Sequence, residues 1–202
     1  MSVATLKKIE AAINEKNYGR MYEIGVSLID MARNDDAWFE AVVVIGSYLV
    51  KNNNHIWNAV DLSKRGALVA REGSEVQMLL MTSLTTNIEA LPTAKDRAEA
   101  AATVAAVAPK NSIVMAISLD LILTNVPQID SNDDKIHYLR IVIQYSPECS
   151  AVKIRANILI QRLPKSKPVW SKKKQEDRSP LLGFLDRHKG NISDLFMKDE
   201  QK

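Results

Sequence analysis

Lys135-Ile136-His137-Tyr138-Leu139-Arg140-Ile141-Val142-Ile143-Gln144-Tyr145-Ser146-Pro147 is the stretch of this chain that decides its fold. Its apolar residues recur at the three- and four-residue spacing of one helix face, at Ile136, Leu139, Val142 and Ile143. Pro147 follows the run, and a proline cannot continue a helix. The stretch therefore predicts an amphipathic helix with a defined carboxyl end.

The same pattern occurs earlier in the chain at a fixed interval. Pro109 precedes Pro147 by a 38-residue step and also follows a helical run of small and apolar residues. The same 38-residue step connects the matched helices at Met21, Ala59, Arg97 and Lys135. Self-similarity at a fixed period is the signature of stacked helical units. The sequence predicts about four degenerate repeats.

Helices are predicted along most of the chain. The composition is 46% hydrophobic but only 5% aromatic, and the apolar residues are mostly Ala, Leu, Ile and Val, which suits helices. The prediction is an all-α fold of antiparallel helix pairs stacked as a short α-solenoid, with a last helix capping the open end. The predicted helices are residues 3–14, 20–32, 37–50, 56–70, 75–91, 93–108, 113–126, 135–146 and the capping helix 149–163.

Charge separates the chain into two predicted parts. Residues 1–163 contain 17 Lys and Arg against 18 Asp and Glu, whereas residues 164–202 contain 10 against 6. We therefore predict a near-neutral helical-repeat domain over 1–163. Residues 164–202 are predicted to form a basic linker and a short apolar helical tail, both flexible.

Cysteine content and the amino terminus indicate a compartment. Cys149 is the single cysteine, so no disulfide can form within the chain. Lys7 and Lys8 interrupt the amino terminus before an apolar core of signal-peptide length. The apolar run from Ile113 to Leu123 is too short to cross a bilayer. A soluble cytoplasmic protein with no membrane association is the expectation.

Catalysis, metal binding and cofactor binding are not predicted. Cys149 is placed near a helix start without a histidine close in sequence, so a packing role is favoured over a reactive thiol. The histidines and acid pairs lack the spacing of a metal site, and the acid pairs fit helix amino termini: His55, His137, His188, Asp35-Asp36 and Asp133-Asp134. The expectation is a protein that is not an enzyme, with no cofactor.

The basic segment of the tail is a candidate nucleic-acid site. It combines lysines that could contact phosphates with an indole that could stack on a base: Lys165, Lys167, Trp170, Lys172, Lys173 and Lys174. A solubilising linker is the favoured interpretation, because lysine runs are common in disordered tails.

Apolar residues in the tail form a second candidate. They are Leu181, Leu182, Phe184, Leu185, Ile192, Leu195 and Phe196, followed by Met197. The segment could fold back on the repeats, exchange with a second copy to make a homodimer, or bind another protein. Ile192-Ser193-Asp194-Leu195-Phe196 resembles the pentapeptide that binds the bacterial sliding clamp, although Ile192 replaces the usual glutamine.

The repeats resemble tetratricopeptide repeats. The resemblance is carried by Lys16-Asn17-Tyr18, by the residues from Ala59 to Leu68, and by the stretch ending at Pro147, which look like second helices of such repeats. It implies helix pairs in a right-handed superhelix whose concave groove binds peptides or protein surfaces. The 38-residue interval exceeds the usual repeat length of about 34. Another helical-repeat type or an irregular bundle stays open as an alternative.

The favoured function is a non-catalytic adaptor or scaffold that binds a protein partner through the repeats, with the tail as a tether or regulatory motif. First helices of each pair are expected to line the groove, which nominates Tyr48, Gln77, Thr85 and Asn125. The alternative is a nucleic-acid-associated accessory protein of the replication or repair type that uses the basic tail.

Overall fold

A computed structural model describes residues 3–32 and 36–164 of the chain. The chain divides into two units between Pro164 and Lys165, and the tail residues lie outside the described part. Every regular element in the described residues is helical, which confirms the all-α prediction. The helices are α1 (Val3–Asn14), α2 (Tyr18–Met31), α3 (Asp36–Leu49), α4 (Ile56–Val69), α5 (Glu75–Glu89), α6 (Ala94–Val107), α7 (Ile113–Asn125), α8 (Asn132–Tyr145) and α9 (Ala151–Arg162).

The 38-residue interval is reproduced in the bounds of these helices. Helices α2, α4, α6 and α8, here called B helices, begin at Tyr18, Ile56, Ala94 and Asn132, in successive steps of that interval. Their last residues keep the same interval. The helices that follow them, α3, α5, α7 and α9, are called A helices, and the last three begin at Glu75, Ile113 and Ala151. The interval seen in the sequence is therefore the length of one structural unit.

One turn geometry recurs between a B helix and the next A helix. Gly73, Asn111 and Cys149 occupy successive 38-residue steps and have φ of 73°, 63° and 59°. The serine after each of them caps the A helix, and its hydroxyl accepts from a backbone N–H three residues on, as Ser112 does from Met115. Ser74 and Ser150 do the same. These are four-residue turns with a left-handed third residue, followed directly by a capped helix.

Packing follows chain order. The most extensive contacts join α2 to α3, α4 to α5 and α6 to α7, and each A helix that has a B helix after it also packs on that B helix. Helices two apart also meet, in the pairs α2–α4, α3–α5, α6–α8 and α7–α9, while α5 packs on α6. Counted from the amino terminus, the predicted helix pairs are α1–α2, α3–α4, α5–α6 and α7–α8. The closest pairs are one helix out of phase with that pairing, because the short turns after α4, α6 and α8 each hold a B helix against the next A helix.

Small residues set how closely the helices approach. Gly25 of α2 lies against Leu62 of α4, and a Cβ on Gly25 would meet a Leu62 methyl at 2.6 Å. Gly66 of α4 is placed in the same way against Leu80 of α5, at 2.7 Å. Leu62 and Leu80 are both fully buried. Each glycine therefore provides the space into which a leucine of the neighbouring helix packs.

Most of the alanines of α6 are buried. Ala98, Ala100, Ala101 and Ala105 have no exposed surface. Methyl side chains keep the interhelix distance short, and α6 packs most closely on α7.

None of the helices among the described residues is both long and apolar enough to cross a membrane.

Two local predictions are corrected. The helix predicted over 135–146 begins earlier, at Asn132, because Ser131 caps α8 and Asp133 and Asp134 occupy its first turn. Cys149 was expected to start the last helix. It instead takes the left-handed position of the turn, and α9 begins at Ala151.

Hydrogen bonds between polar side chains connect neighbouring B helices. The Tyr22 hydroxyl of α2 donates to Asp61 of α4 at 2.7 Å, and the Tyr138 hydroxyl of α8 donates to Glu99 of α6 at 2.8 Å. Burial, together with the hydrogen bond to the Glu99 carboxylate, raises the pKa of Tyr138. The hydrogen bond to Asp61, together with burial, raises the pKa of Tyr22. Both tyrosines therefore stay protonated and keep donating at neutral pH.

Of the two carboxylates that accept from these tyrosines, Asp61 has the larger number of hydrogen-bond partners. It accepts from Tyr22, from Arg65 at 2.6 Å and from Lys64 at 2.8 Å. Burial alone would raise the pKa of Asp61, but the hydrogen bonds from Lys64, Tyr22 and Arg65 outweigh it and lower the pKa to about 2. The carboxylate is thus held ionised between α2 and α4.

We expect Cys149→Gly to stabilise the protein. A left-handed conformation costs a residue with a Cβ roughly 1–2 kcal/mol, which exceeds the roughly 0.5–1 kcal/mol of backbone entropy that glycine loses. The free energy of unfolding, measured by urea titration, should rise by about 0.5–1 kcal/mol. Cys149→Ala removes the thiol but keeps the Cβ, so it serves as the control and should give no such gain.

The ionised Asp61 predicts a specific pH dependence. Its pKa in the folded state, about 2, lies below the ordinary value of 3.8, so its contribution is complete above that ordinary value and is lost as the pH falls towards 2. We expect a contribution of about 1–2 kcal/mol after allowance for partial solvent exposure. Urea titrations across this range should show a smaller loss of stability in Asp61→Asn than in wild type. An equal loss in both would contradict the assignment, and Asp130→Asn, at an exposed site, is the control.

Candidate partner-binding surface

A strongly apolar surface depression, here called the α3–α5 groove, lies between helices α3 and α5. It encloses about 220 Å³. Val43, Ser47 and Val50 form the α3 side, and the α5 side consists of Leu79, Thr82, Ser83, Thr86 and Asn87. Both helices are A helices. Aliphatic side chains and small hydroxyls therefore face the same depression, without a charged residue in its lining.

The floor of this groove is fixed by a buried hydrogen-bond network. Asn87 is 2% exposed, and its amide donates to the Ala59 carbonyl at 3.2 Å and to the Ser63 hydroxyl at 2.9 Å. The Ser63 and Ser83 hydroxyls are 3.1 Å apart. Gly46 of α3 lies over this network, with space for ordinary contact only. These polar groups have partners inside the protein, so they hold α4 and α5 together below α3.

The walls differ from the floor. Thr82 is exposed, and its hydroxyl donates to the Met78 carbonyl of its own helix; the Ser47 hydroxyl does the same to Val44. Because each of these hydroxyls already donates to a carbonyl of its own helix, it can lie against apolar atoms without losing a hydrogen bond. Leu79 is 41% exposed and has little cover on the solvent side. The walls therefore present an apolar surface that a partner could bury at low polar cost.

Further exposed aliphatic residues lie on the A helices. They are all between 37% and 52% exposed: Val44, Met78, Ile113, Ile154 and Ile158. A second row lies at the last residues of B helices, at Met31, Val69 and Val107. Met31 and Val69 each line a depression of their own, which they share with charged side chains. The α3–α5 groove instead combines exposed aliphatic residues with an uncharged concavity.

The residues predicted from helix order to line a groove lie on α3, α5 and α7. None of them lines the α3–α5 groove. Gln77 is buried, where its amide donates to the Ala67 carbonyl and its oxygen accepts from the Gly73 N–H at 2.8 Å. Asn125 is buried and donates to the Leu121 carbonyl. Tyr48 and Thr85 are half-buried, and Lys51 lies 4.5 Å from the centre of the Tyr48 ring. Gln77 thus joins α5 to α4 and to the turn before it.

A sequence signal for the groove existed in α5. Thr82-Ser83-Leu84-Thr85-Thr86-Asn87 places five residues of low helix propensity in one helix. Such a run must be compensated by packing or by function. The order of the helices identified α3 and α5 as candidates, whereas the choice of side chains required the interhelix contacts.

The remaining sequence candidates are distributed over the structure. His55 stacks on Tyr18 with ring centres 5.1 Å apart, and His137 meets the edge of Tyr138. Cys149 is exposed in its turn. In the described ranges 3–32 and 36–164, His, Cys, Asp and Glu do not gather in groups of three suited to a metal ion. His188, Asp35, the basic segment Lys165–Lys174 and the apolar residues Leu181–Met197 lie outside the described residues.

Comparison with known proteins identifies no relative, since the chain matches no protein-family model, no curated protein and no solved structure. The α3–α5 groove is therefore interpreted from its own chemistry.

Shortening a side chain in the floor of the groove should change the free energy of unfolding more than shortening one in the wall. Asn87→Ala removes a buried donor from the Ala59 carbonyl and the Ser63 hydroxyl, and we expect it to lower the free energy of unfolding by about 1–3 kcal/mol. Thr86→Ala is the matched control on the same helix, exposed on the wall, and should change stability by less than about 0.5 kcal/mol. Urea titration measures both. A destabilisation by Thr86→Ala equal to that of Asn87→Ala would show that the wall is also part of the core.

Proposed function

We propose that this protein is a non-catalytic adaptor that binds a protein partner in the α3–α5 groove. The observation that carries the proposal is an uncharged concavity with exposed Leu79 on its rim and a floor fixed by Asn87. Ligand-binding depressions are mostly apolar and largely pre-formed. Partner side chains can be buried here without breaking a hydrogen bond of the protein.

The helical arrangement supports an interaction role. We propose that the A and B helices form a short α-solenoid of the tetratricopeptide type, because each unit has the same length and packs mainly on its neighbours. In such stacks the surface of one set of helices is left free for a partner. The α3–α5 groove lies on that set.

The contacts of the histidine and carboxylate side chains do not favour an enzyme. His55 and His137 contact tyrosines, Asp61 is neutralised by Lys64 and Arg65, and Glu99 accepts from Tyr138. Each of these groups thus has a structural partner that accounts for it. An adaptor function requires none of them to react.

The experiment is site-specific photo-crosslinking followed by binding measurements. A photo-reactive amino acid at position Thr82 in the groove, and at Thr103 on α6 as a matched control, is expressed in the full chain in the cell of origin. Proteins joined only from Thr82 are then identified and purified. We expect Leu79→Asp to weaken binding of such a partner at least about tenfold by calorimetry, since it places a charge in an apolar contact.

Val107→Asp is the control for this substitution. Val107 is 58% exposed, lies on the B helix α6 and lines none of the depressions described above. Its variant should bind like wild type, and circular dichroism should show both variants folded. Identical sets of proteins from Thr82 and Thr103, or undiminished binding by Leu79→Asp, would refute the groove as the partner site.

A further inference from the structure

Charge is distributed unevenly over the A helices. The helices α3, α5 and α7 contain no lysine or arginine, whereas α9 contains Lys153, Arg155 and Arg162 and no acid. The body as a whole is near neutral. The two walls of the α3–α5 groove therefore come from helices that carry negative charge only.

Carboxylates lie one helical turn from the apolar wall residues. Glu40 precedes Val43 and Val44 by three and four residues, and Glu75 precedes Leu79 by four, so each shares a helix face with them. Both carboxylates are exposed, and neither forms an ion pair in the described residues. Glu89 follows Thr86 by three residues and is exposed as well. An apolar groove is thus bordered by unpaired negative charge.

Two cations lie near the ends of the groove helices in sequence: Lys51, just beyond the end of α3, and Arg71, four residues before Glu75. Lys51 has a contact of its own. Its ammonium lies 4.5 Å from the centre of the Tyr48 ring, in a cation–π contact. Lys51 lies just after the carboxyl end of α3, and Glu89 is the last residue of α5. Their charges are opposite in sign. Glu40 and Glu75 lie nearer the amino ends, and neither forms an ion pair with a described lysine or arginine. Both carboxylates are therefore available to pair with cations of a partner.

We infer that the partner segment is aliphatic and cationic: it inserts branched or straight apolar side chains between α3 and α5 and places lysines or arginines against Glu40 and Glu75. This inference rests on the proposed function of the groove and adds the chemistry of its partner. A cationic segment is drawn to this site by long-range attraction and held by apolar burial. An acidic segment of the same shape is repelled.

Three synthetic peptides of about 14 residues test the inference. All have leucines at the same helical positions, and the remaining positions are lysine, glutamine or glutamate. Fluorescence anisotropy with the full-length protein at low ionic strength gives their dissociation constants. We expect the lysine peptide to bind at least about tenfold more tightly than the glutamate peptide, with the glutamine peptide between them, and added salt to reduce the difference.

Two pairs of variants locate the effect. The double substitution Glu40→Gln and Glu75→Gln should weaken the lysine peptide and leave the glutamine peptide unchanged; Glu10→Gln with Glu23→Gln, at exposed sites on α1 and α2, is the matched control. Leu79→Asp should weaken the glutamine peptide, while Ile158→Asp, an exposed aliphatic residue on the basic helix α9, should not.

The outcomes separate the inference from the function beneath it. Equal affinity for the three peptides, with loss in Leu79→Asp, would overturn the cationic partner and leave the groove as a binding site. Absence of binding by every peptide would overturn both. Photo-crosslinking from Thr82 to residues 165–202 of the same chain, or to a second copy, would identify that segment or copy as the occupant instead of a separate partner.

Discussion

The turn that follows α4, α6 and α8 is the constraint on which the rest of the structure depends. Its third residue is left-handed, and the next residue is a serine that caps the helix after it. This geometry reverses the chain in a few residues and fixes where the A helix begins. With these starts fixed, corresponding positions of successive units face the core, as at Gly25, Ser63, Ala101 and Leu139. The recurring 38-residue interval is the consequence.

Different residues meet this constraint at different steps. Gly73 adopts the left-handed conformation without strain, Asn111 does so at modest cost, and Cys149 has no such advantage. The lone cysteine, which attracts attention as a reactive group in the sequence, therefore has a structural position. Its conformational cost is tolerated because the capped helix after it packs against α8.

The groove follows from the packing of α3 beside α5. Gly66 lets Leu80 approach α4, and the Ser63, Ser83 and Asn87 network joins the helices below the groove. A buried polar network of this kind specifies one arrangement of its helices, because any other would leave donors unpaired. The walls are then free to carry Val43, Leu79 and the hydroxyls that a partner can cover. In the proposed function, charge on the same helices selects among partners, whereas the aliphatic contacts supply most of the affinity.

The sequence by itself determined the helical class, the unit length and the position of most helices, because the apolar spacing and the turn residues are local signals that repeat. It also predicted that the helices called A helices here would line a groove. Only the tertiary structure decided which side chains form it. Gln77 and Thr82 are both polar residues of α5, yet Gln77 is buried against the Ala67 carbonyl and Thr82 lines the groove. That difference depends on which neighbouring helix covers each side chain. Packing between separate helices leaves no trace in the local periodicity of the sequence.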